Sequence, residues 1–132
     1  MSELDLDNLK GLSLPIVAPI DIPDDFEVWE VSALPNAVSG DGYQIRIGRG
    51  DAEIQLRAVS GEEDHPGGEF IEREVSTRFF GLFNLKRKGD ELVSDWFSEM
   101  QSGFPAYTVR AKGVKPEEVV EFIHSLDYVR VN

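Results

Sequence analysis

The chain has 132 residues, 41% of them apolar, with 25 acidic side chains against 13 basic ones and a formal net charge of −12. That length and composition suit one folded domain with a real hydrophobic core, and exclude both a disordered chain and two ordinary domains. Cysteine is absent, which removes disulfides, thiolate metal sites and a cysteine nucleophile together, and the charge balance argues against nucleic acid and anionic membranes, which need clustered Lys and Arg.

Residues 1–23 read as an extended or partly mobile lead-in. Leu4, Leu6, Leu9 and Leu12 allow a short helix packed on the core or a mobile segment, while Pro15, Pro19 and Pro23 stop a helix from running through the second half. Asp5, Asp7, Asn8 and Gly11 echo a calcium loop, but the twelfth position from Asp5 is Ile16, where such a loop needs a bidentate Glu. No metal is expected there. The domain proper is expected over 24–132.

Its first strand falls at Phe26–Val31, after the turn Pro23-Asp24-Asp25, and Leu34 to Gly42 reads as a loop. The clearest hairpin follows. Tyr43, Ile45 and Ile47 alternate with Gln44 and Arg46, and Ile54, Leu56 and Ala58 alternate with Glu53, Gln55 and Arg57. Such alternation writes an antiparallel sheet with one buried and one solvated face. Gly48-Arg49-Gly50-Asp51 makes the turn.

Ser60 to Glu69 is an acidic, glycine-containing loop. From Phe70 to Leu85 the positions Ile71, Val75, Phe79, Phe83 and Leu85 favour the core, and Gly81 marks either a bend in one long strand or a break between two. Lys88-Gly89-Asp90 is the next turn and Leu92–Phe97 the next strand. A Gly103-Phe104-Pro105 turn then leads into a strand at 106–111 and a helix expected over Pro116–Leu126, where Val119, Phe122, Ile123 and Leu126 draw one apolar stripe. Tyr128, Val129 and Val131 suit a short last strand or a docked tail. The fold class is α+β: a single, mostly antiparallel, curved sheet of five to seven strands with one C-terminal helix packed on it.

Chemistry-bearing patterns are sparse. Arg49-Gly50-Asp51 is the tripeptide that integrins recognise, at a hairpin tip, yet ordinary turn chemistry explains it equally well. Glu62, Glu63, Asp64 and His65 are neighbours in one loop, which does not fix ligands into a shell and reads as a solvated acidic run. His65 and His124 stand in no triad or acid–base spacing, and Lys86-Arg87-Lys88 is too small a basic cluster for a nucleic-acid footprint. No catalytic constellation, cofactor motif or metal set emerges, so a non-enzymatic protein is expected. Trp29, Trp96, Phe79, Phe80, Phe83, Phe97, Phe104 and Tyr107 exceed what one helix-on-sheet contact obviously requires. They read as packed core or, in part, as the lining of a concave apolar cleft, for which Trp29, Phe80 and Trp96 are the candidate ligand-binding residues.

Three stretches together resemble a family of extracytoplasmic domains of unknown function, found behind membrane anchors in bacterial and archaeal proteins and related to lipoprotein-sorting carriers and to periplasmic regulators that bind anti-sigma factors. They are the entry Ile22-Pro23-Asp24-Asp25-Phe26-Glu27-Val28, the alternating hairpin after Tyr43, and the closing set of Trp96, Tyr107-Thr108-Val109, Gly113, Glu117-Glu118-Val119 and Ser125-Leu126. Lys115 departs from the pattern, standing where a small capping residue is usual, and a lipid-attachment cysteine is missing. The resemblance implies a half-open antiparallel sheet packed on a helix, with a lipid, a peptide or a partner protein as ligand and no catalytic residues.

Two functional expectations result. The first is a non-enzymatic binding or accessory domain holding an apolar ligand, peptide or partner protein on a concave sheet, extracytoplasmic if a signal or anchor precedes Met1. The alternative is a cytosolic acidic interaction protein that inhibits or binds a basic partner, in the manner of small immunity proteins, for which steered association weakens with salt. The acidity also fits plain solubility or a salt-rich habitat.

Overall fold

A computed structural model describes residues 16–19, 22, 25–37, 40–59, 70–78, 80–98 and 106–129. The expected short helix around Leu4–Leu12, the calcium-like spacing from Asp5, the acidic loop with His65, Phe79 and the Gly103-Phe104-Pro105 turn lie outside these residues. In chain order the elements are β1 (Ile16–Pro19), β2 (Glu27–Ala37), β3 (Gly40–Arg49), β4 (Ala52–Val59), β5 (Phe70–Thr77), β6 (Gly81–Lys88), β7 (Glu91–Ser94), β8 (Phe97–Ser98), β9 (Ala106–Lys112), α1 (Pro116–His124) and β10 (Leu126–Val129).

The large sheet runs β2-β3-β4-β9-β7-β6-β5, with β8 also on β9, and every pairing in it is antiparallel. It is two meanders, β2-β3-β4 and β5-β6-β7-β9, sealed where β9 meets β4 over Glu53–Val59 and Ala106–Lys112. β9 is therefore buried between neighbours on both edges. Two of the connecting hairpins use the same Gly-Asp chemistry: Gly50 and Gly89 hold φ of 58° and 62°, each followed by Asp. A left-handed first turn residue is what glycine accepts at low cost, and its twist matches that of the flanking strands.

The alternation predicted for the hairpin decides which face is covered. Tyr43, Ile45, Ile47, Ile54, Leu56, Ala58, Tyr107, Val109 and Ala111 are all buried on one face. Val119, Phe122 and Ile123 of α1 and Ile16, Val17, Ala18 and Leu126 of the small β1-β10 sheet join them in a single core. Phe83 stacks on Phe97 at 4.3 Å, and Phe80 meets Phe97 and Tyr107 edge-on at 5.2 and 5.5 Å. Four of the eight aromatic residues singled out in the sequence, Phe80, Phe83, Phe97 and Tyr107, are thus core, in the offset and edge-to-face contacts that ring quadrupoles favour.

One hydroxyl ties the small sheet to the large one. Tyr43 Oη accepts the Val17 N–H at 2.7 Å and donates to the Val17 carbonyl at 2.8 Å. In an antiparallel pair, alternate residues turn both backbone groups away from their partner. At Val17 those outward groups are buried, and Tyr43 stands in for a third strand. Burial drives the Tyr43 phenol well above its ordinary pKa, so it is a neutral donor and acceptor throughout the physiological range.

Helix α1 starts as the sequence implies. Pro116 is its first residue, Lys115 N–H donates to Glu118 Oε1 at 3.0 Å, and Glu117 and Glu118 sit in the first turn. The Lys115 departure costs a side-chain cap, and Glu118 supplies the other half of the capping box instead. Arg49 clamps this end: its guanidinium reaches Asp25 at 2.7 Å and Glu118 at 3.0 Å and lies over the Phe26 ring. The Arg of the Arg-Gly-Asp tripeptide is thus engaged in holding three segments together.

Three sequence expectations are corrected, at Leu34–Gly42, at Ile71 and at the end of α1. Leu34–Gly42 is not a loop, because β2 runs to Ala37 and β3 begins at Gly40, with Pro35 falling in a register break of an outermost strand where its missing N–H is tolerated. Of the two alternatives at Gly81, the Phe70–Leu85 run takes the second, with β5 ending at Thr77 and β6 starting at Gly81. Ile71 is 63% exposed, since a bulge between Ile71 and Arg73 flips the alternation and pairs Ile71 with Lys86 on the outer face. Within the lead-in, expected to be extended or partly mobile, Ile16–Pro19 is a buried strand. Helix α1 also stops at His124, where Ser125 Oγ donates to the Phe122 carbonyl at 2.7 Å and Leu126 opens β10.

Replacing Tyr43 with Phe removes both bonds to Val17 and leaves a buried N–H and C=O without that partner. A loss of about 1–3 kcal/mol is expected, read as a lower midpoint in chemical denaturation; an unchanged midpoint contradicts the role assigned to the hydroxyl.

Candidate functional site

With one face of the sheet closed by α1 and the β1-β10 pair, openings lie at its margins. An open cleft of about 300 Å³ sits where β5 turns toward β6 against the C-terminal end of α1. Phe80, Ile123 and Leu126, all buried, form its apolar side, and Arg78, His124 and Asp127 bring charge or polarity to its walls. The turn is pinned locally: Thr77 Oγ1 accepts the Phe80 N–H at 2.9 Å and donates to the Gly81 carbonyl at 2.9 Å. His124 Nε2 lies 3.0 Å from the Ser76 carbonyl, so its Nε2–H donates across to β5 and fixes the imidazole at the cleft. That volume is at the small end for ligand sites, enough for one large side chain or part of an acyl chain. Among the described residues, large apolar side chains are also exposed on the adjoining strands, Phe70 and Ile71 on β5 and Leu82 on β6.

The three residues singled out from the sequence fall in different places. Phe80 contributes to this cleft while being 6% exposed and packed among the core rings. Trp29 is on β2, at the opposite margin of the sheet. Trp96 is half-buried between β7 and β8. They do not form one concave lining, and the residues that sequence reasoning missed at the cleft are Thr77, Arg78, Ile123 and Asp127. Nothing in their local pattern marks them, because the cleft is made by a turn meeting a helix end forty-odd residues away.

The outer face of the sheet is polar and tightly cross-linked. Reading the registers across, Glu30, Arg46, Gln55, Arg110, Val93, Lys86 and Ile71 form one row from β2 to β5. Glu30 accepts from Ser32 at 2.6 Å, Arg46 at 3.0 Å and Gln44 at 3.1 Å, while Arg46 also pairs with Glu53 and Gln55 donates to Gln44. Arg110 pairs with Glu91, Lys112 with Asp90 and Lys86 with Asp95. Trp29 is the extra residue of a bulge between Val28 and Glu30, and its ring lies directly on Gly48. A Cβ on Gly48 would stand 2.2 Å from the ring carbons, so this position must be glycine for the indole to lie where it does.

Among the described residues no group of three His, Asp or Glu side chains converges as a metal set, and no helix is long and apolar enough to cross a membrane. Comparison with protein-family models, with curated protein sequences and with solved structures returned no match.

Two outcomes are expected. Gly48→Ala unseats the Trp29 ring, raising indole exposure to a soluble quencher and costing about 1–3 kcal/mol through overpacking; unchanged quenching and stability contradict the seat. The Glu30 carboxyl is held below its ordinary value of 4.5, first by the Ser32 hydroxyl and then by Arg46 and Gln44. Since the folded value is the lower one, this stabilisation is complete above about pH 4.5 and is lost as pH falls through the folded value. Glu30→Gln should therefore flatten the dependence of unfolding free energy on pH as pH falls below the ordinary value of 4.5, and an unaltered slope places the acid sensitivity elsewhere.

Proposed function

We propose that this chain is a non-enzymatic binding or accessory domain that holds an apolar ligand, or an apolar side chain of a peptide or partner protein, in the cleft between the β5–β6 turn and the end of α1. The observation that carries the reading is the cleft itself: an apolar side made by Phe80, Ile123 and Leu126, with Arg78, His124 and Asp127 placed to orient an amphipathic group. Apolar surface removed from water supplies the affinity, and the few polar groups supply orientation. Phe70, Ile71 and Leu82 are further exposed apolar side chains on β5 and β6, with Ile71 on the outer face and apart from the cleft. The resemblance to extracytoplasmic domains supports the same kind of role, with the natural setting outside the cytoplasm.

Titrating the isotopically labelled protein with a short-chain fatty acid and with a phenylalanine-containing peptide, and following backbone amides by NMR, tests this. Saturable shifts concentrated at Thr77, Arg78 and Ile123–Asp127 are expected with at least one probe. Shifts confined to other parts of the chain, or no saturable response to either, contradict the proposal.

A further inference from the structure

The Trp29 seat is elaborate for a residue whose ring remains 42% exposed. A bulge re-aims the side chain, a glycine on the next strand makes room for it, and one face of the indole is consumed by that glycine. Covering Gly48 accounts for the buried face. It does not account for the carboxylates gathered around the other. Glu27-Val28-Trp29-Glu30 holds two acidic residues and no basic one. Glu27 is exposed and lies in register with Gly48, and Glu53 flanks Gly48 from β4. Glu27, Glu30 and Glu53 thus stand on the strands beside the ring, and among the described residues Arg46 is the cation that meets it, its guanidinium over the ring at 5.8 Å from the centroid and paired to Glu30 and Glu53. The nearest further cation in that row, Lys112, sits beyond Glu53 and pairs with Asp90.

We propose that this end of β2 docks a Lys- or Arg-rich segment of a protein partner, with one cationic side chain laid on the outward face of Trp29 and a neighbouring one reaching Glu27. Indole is the strongest of the aromatic rings at attracting a cation over its face. The local surplus of carboxylates, set in a chain of net charge −12, steers a basic partner to it. Among the described residues β2 ends the sheet order. The bulge at Trp29 breaks the regular ladder there, so the partner is engaged by side chains and does not extend the sheet. This surface is separate from the cleft by α1 and does not depend on it.

The test uses a fluorescently labelled hexa-arginine peptide and the full chain, with affinity read by anisotropy across a salt series. Trp29→Leu, which keeps an apolar cover on Gly48, should weaken binding about two- to tenfold. Glu27→Gln should weaken it and shallow the salt dependence, while Glu121→Gln, an equal charge change on the exposed side of α1, leaves it nearly as it was. Trp29→Leu binding like the parent, Glu121→Gln costing as much as Glu27→Gln, or no saturable binding overturns the proposal. So does Trp29-dependent binding of a neutral oligosaccharide such as cellotetraose with none of the peptide, which would make the ring a saccharide platform.

Discussion

The Tyr43 hydroxyl is the contact on which the arrangement of layers depends. A two-stranded ribbon such as β1-β10 cannot stand alone in water, and its burial over the large sheet creates a problem that apolar contacts do not solve: the backbone groups on its inner edge lose solvent. Tyr43 answers with one atom acting as donor and acceptor at Val17. Its position on β3 is set by the same alternation that buries Ile45 and Ile47, so register in the hairpin and placement of the ribbon are one constraint. A slip of one residue in β3 would carry the phenol to the polar face.

Closing that face has a functional consequence. With α1 and the ribbon covering the core side, no broad concave apolar surface is left between sheet and helix among the described residues, and Phe80, Phe83, Phe97 and Tyr107 are packed on each other. Recognition is left to the margins, where the covering layer ends. At one margin the β5–β6 turn and the end of α1 enclose a small apolar cleft; at the other, a bulged strand presents an indole among carboxylates. The polar face between them is cross-linked by the Glu30–Arg46–Glu53 cluster, whose charges are mutually satisfied and so are poorly placed to attract a ligand.

The sequence carried the fold class well, because its strongest signals are periodic ones. Alternation in Tyr43–Ile47 and Ile54–Ala58 and the stripe Val119, Phe122, Ile123 each report which side is buried, and burial follows as read. What escaped were features that break a period or join distant segments. The bulge beside Glu72 moved Ile71 to the surface, the bulge at Trp29 put an indole on the polar face, and a single tyrosine captured β1 from 26 residues away. The cleft escaped for the second reason, since Thr77–Phe80 and Ile123–Asp127 carry no shared motif. Trp29 was legible as unusual but not as separate from Phe80, because only the strand order puts them at opposite margins.

Native-state hydrogen exchange at the Val17 amide tests the layered architecture most directly. If Tyr43 locks the ribbon onto the core, that amide opens only with the whole domain and is protected to the level of the β9 amides, such as Val109. Exchange at Val17 much faster than in β9 would mean that the ribbon lifts independently, and that the core face of the sheet is open to ligands after all.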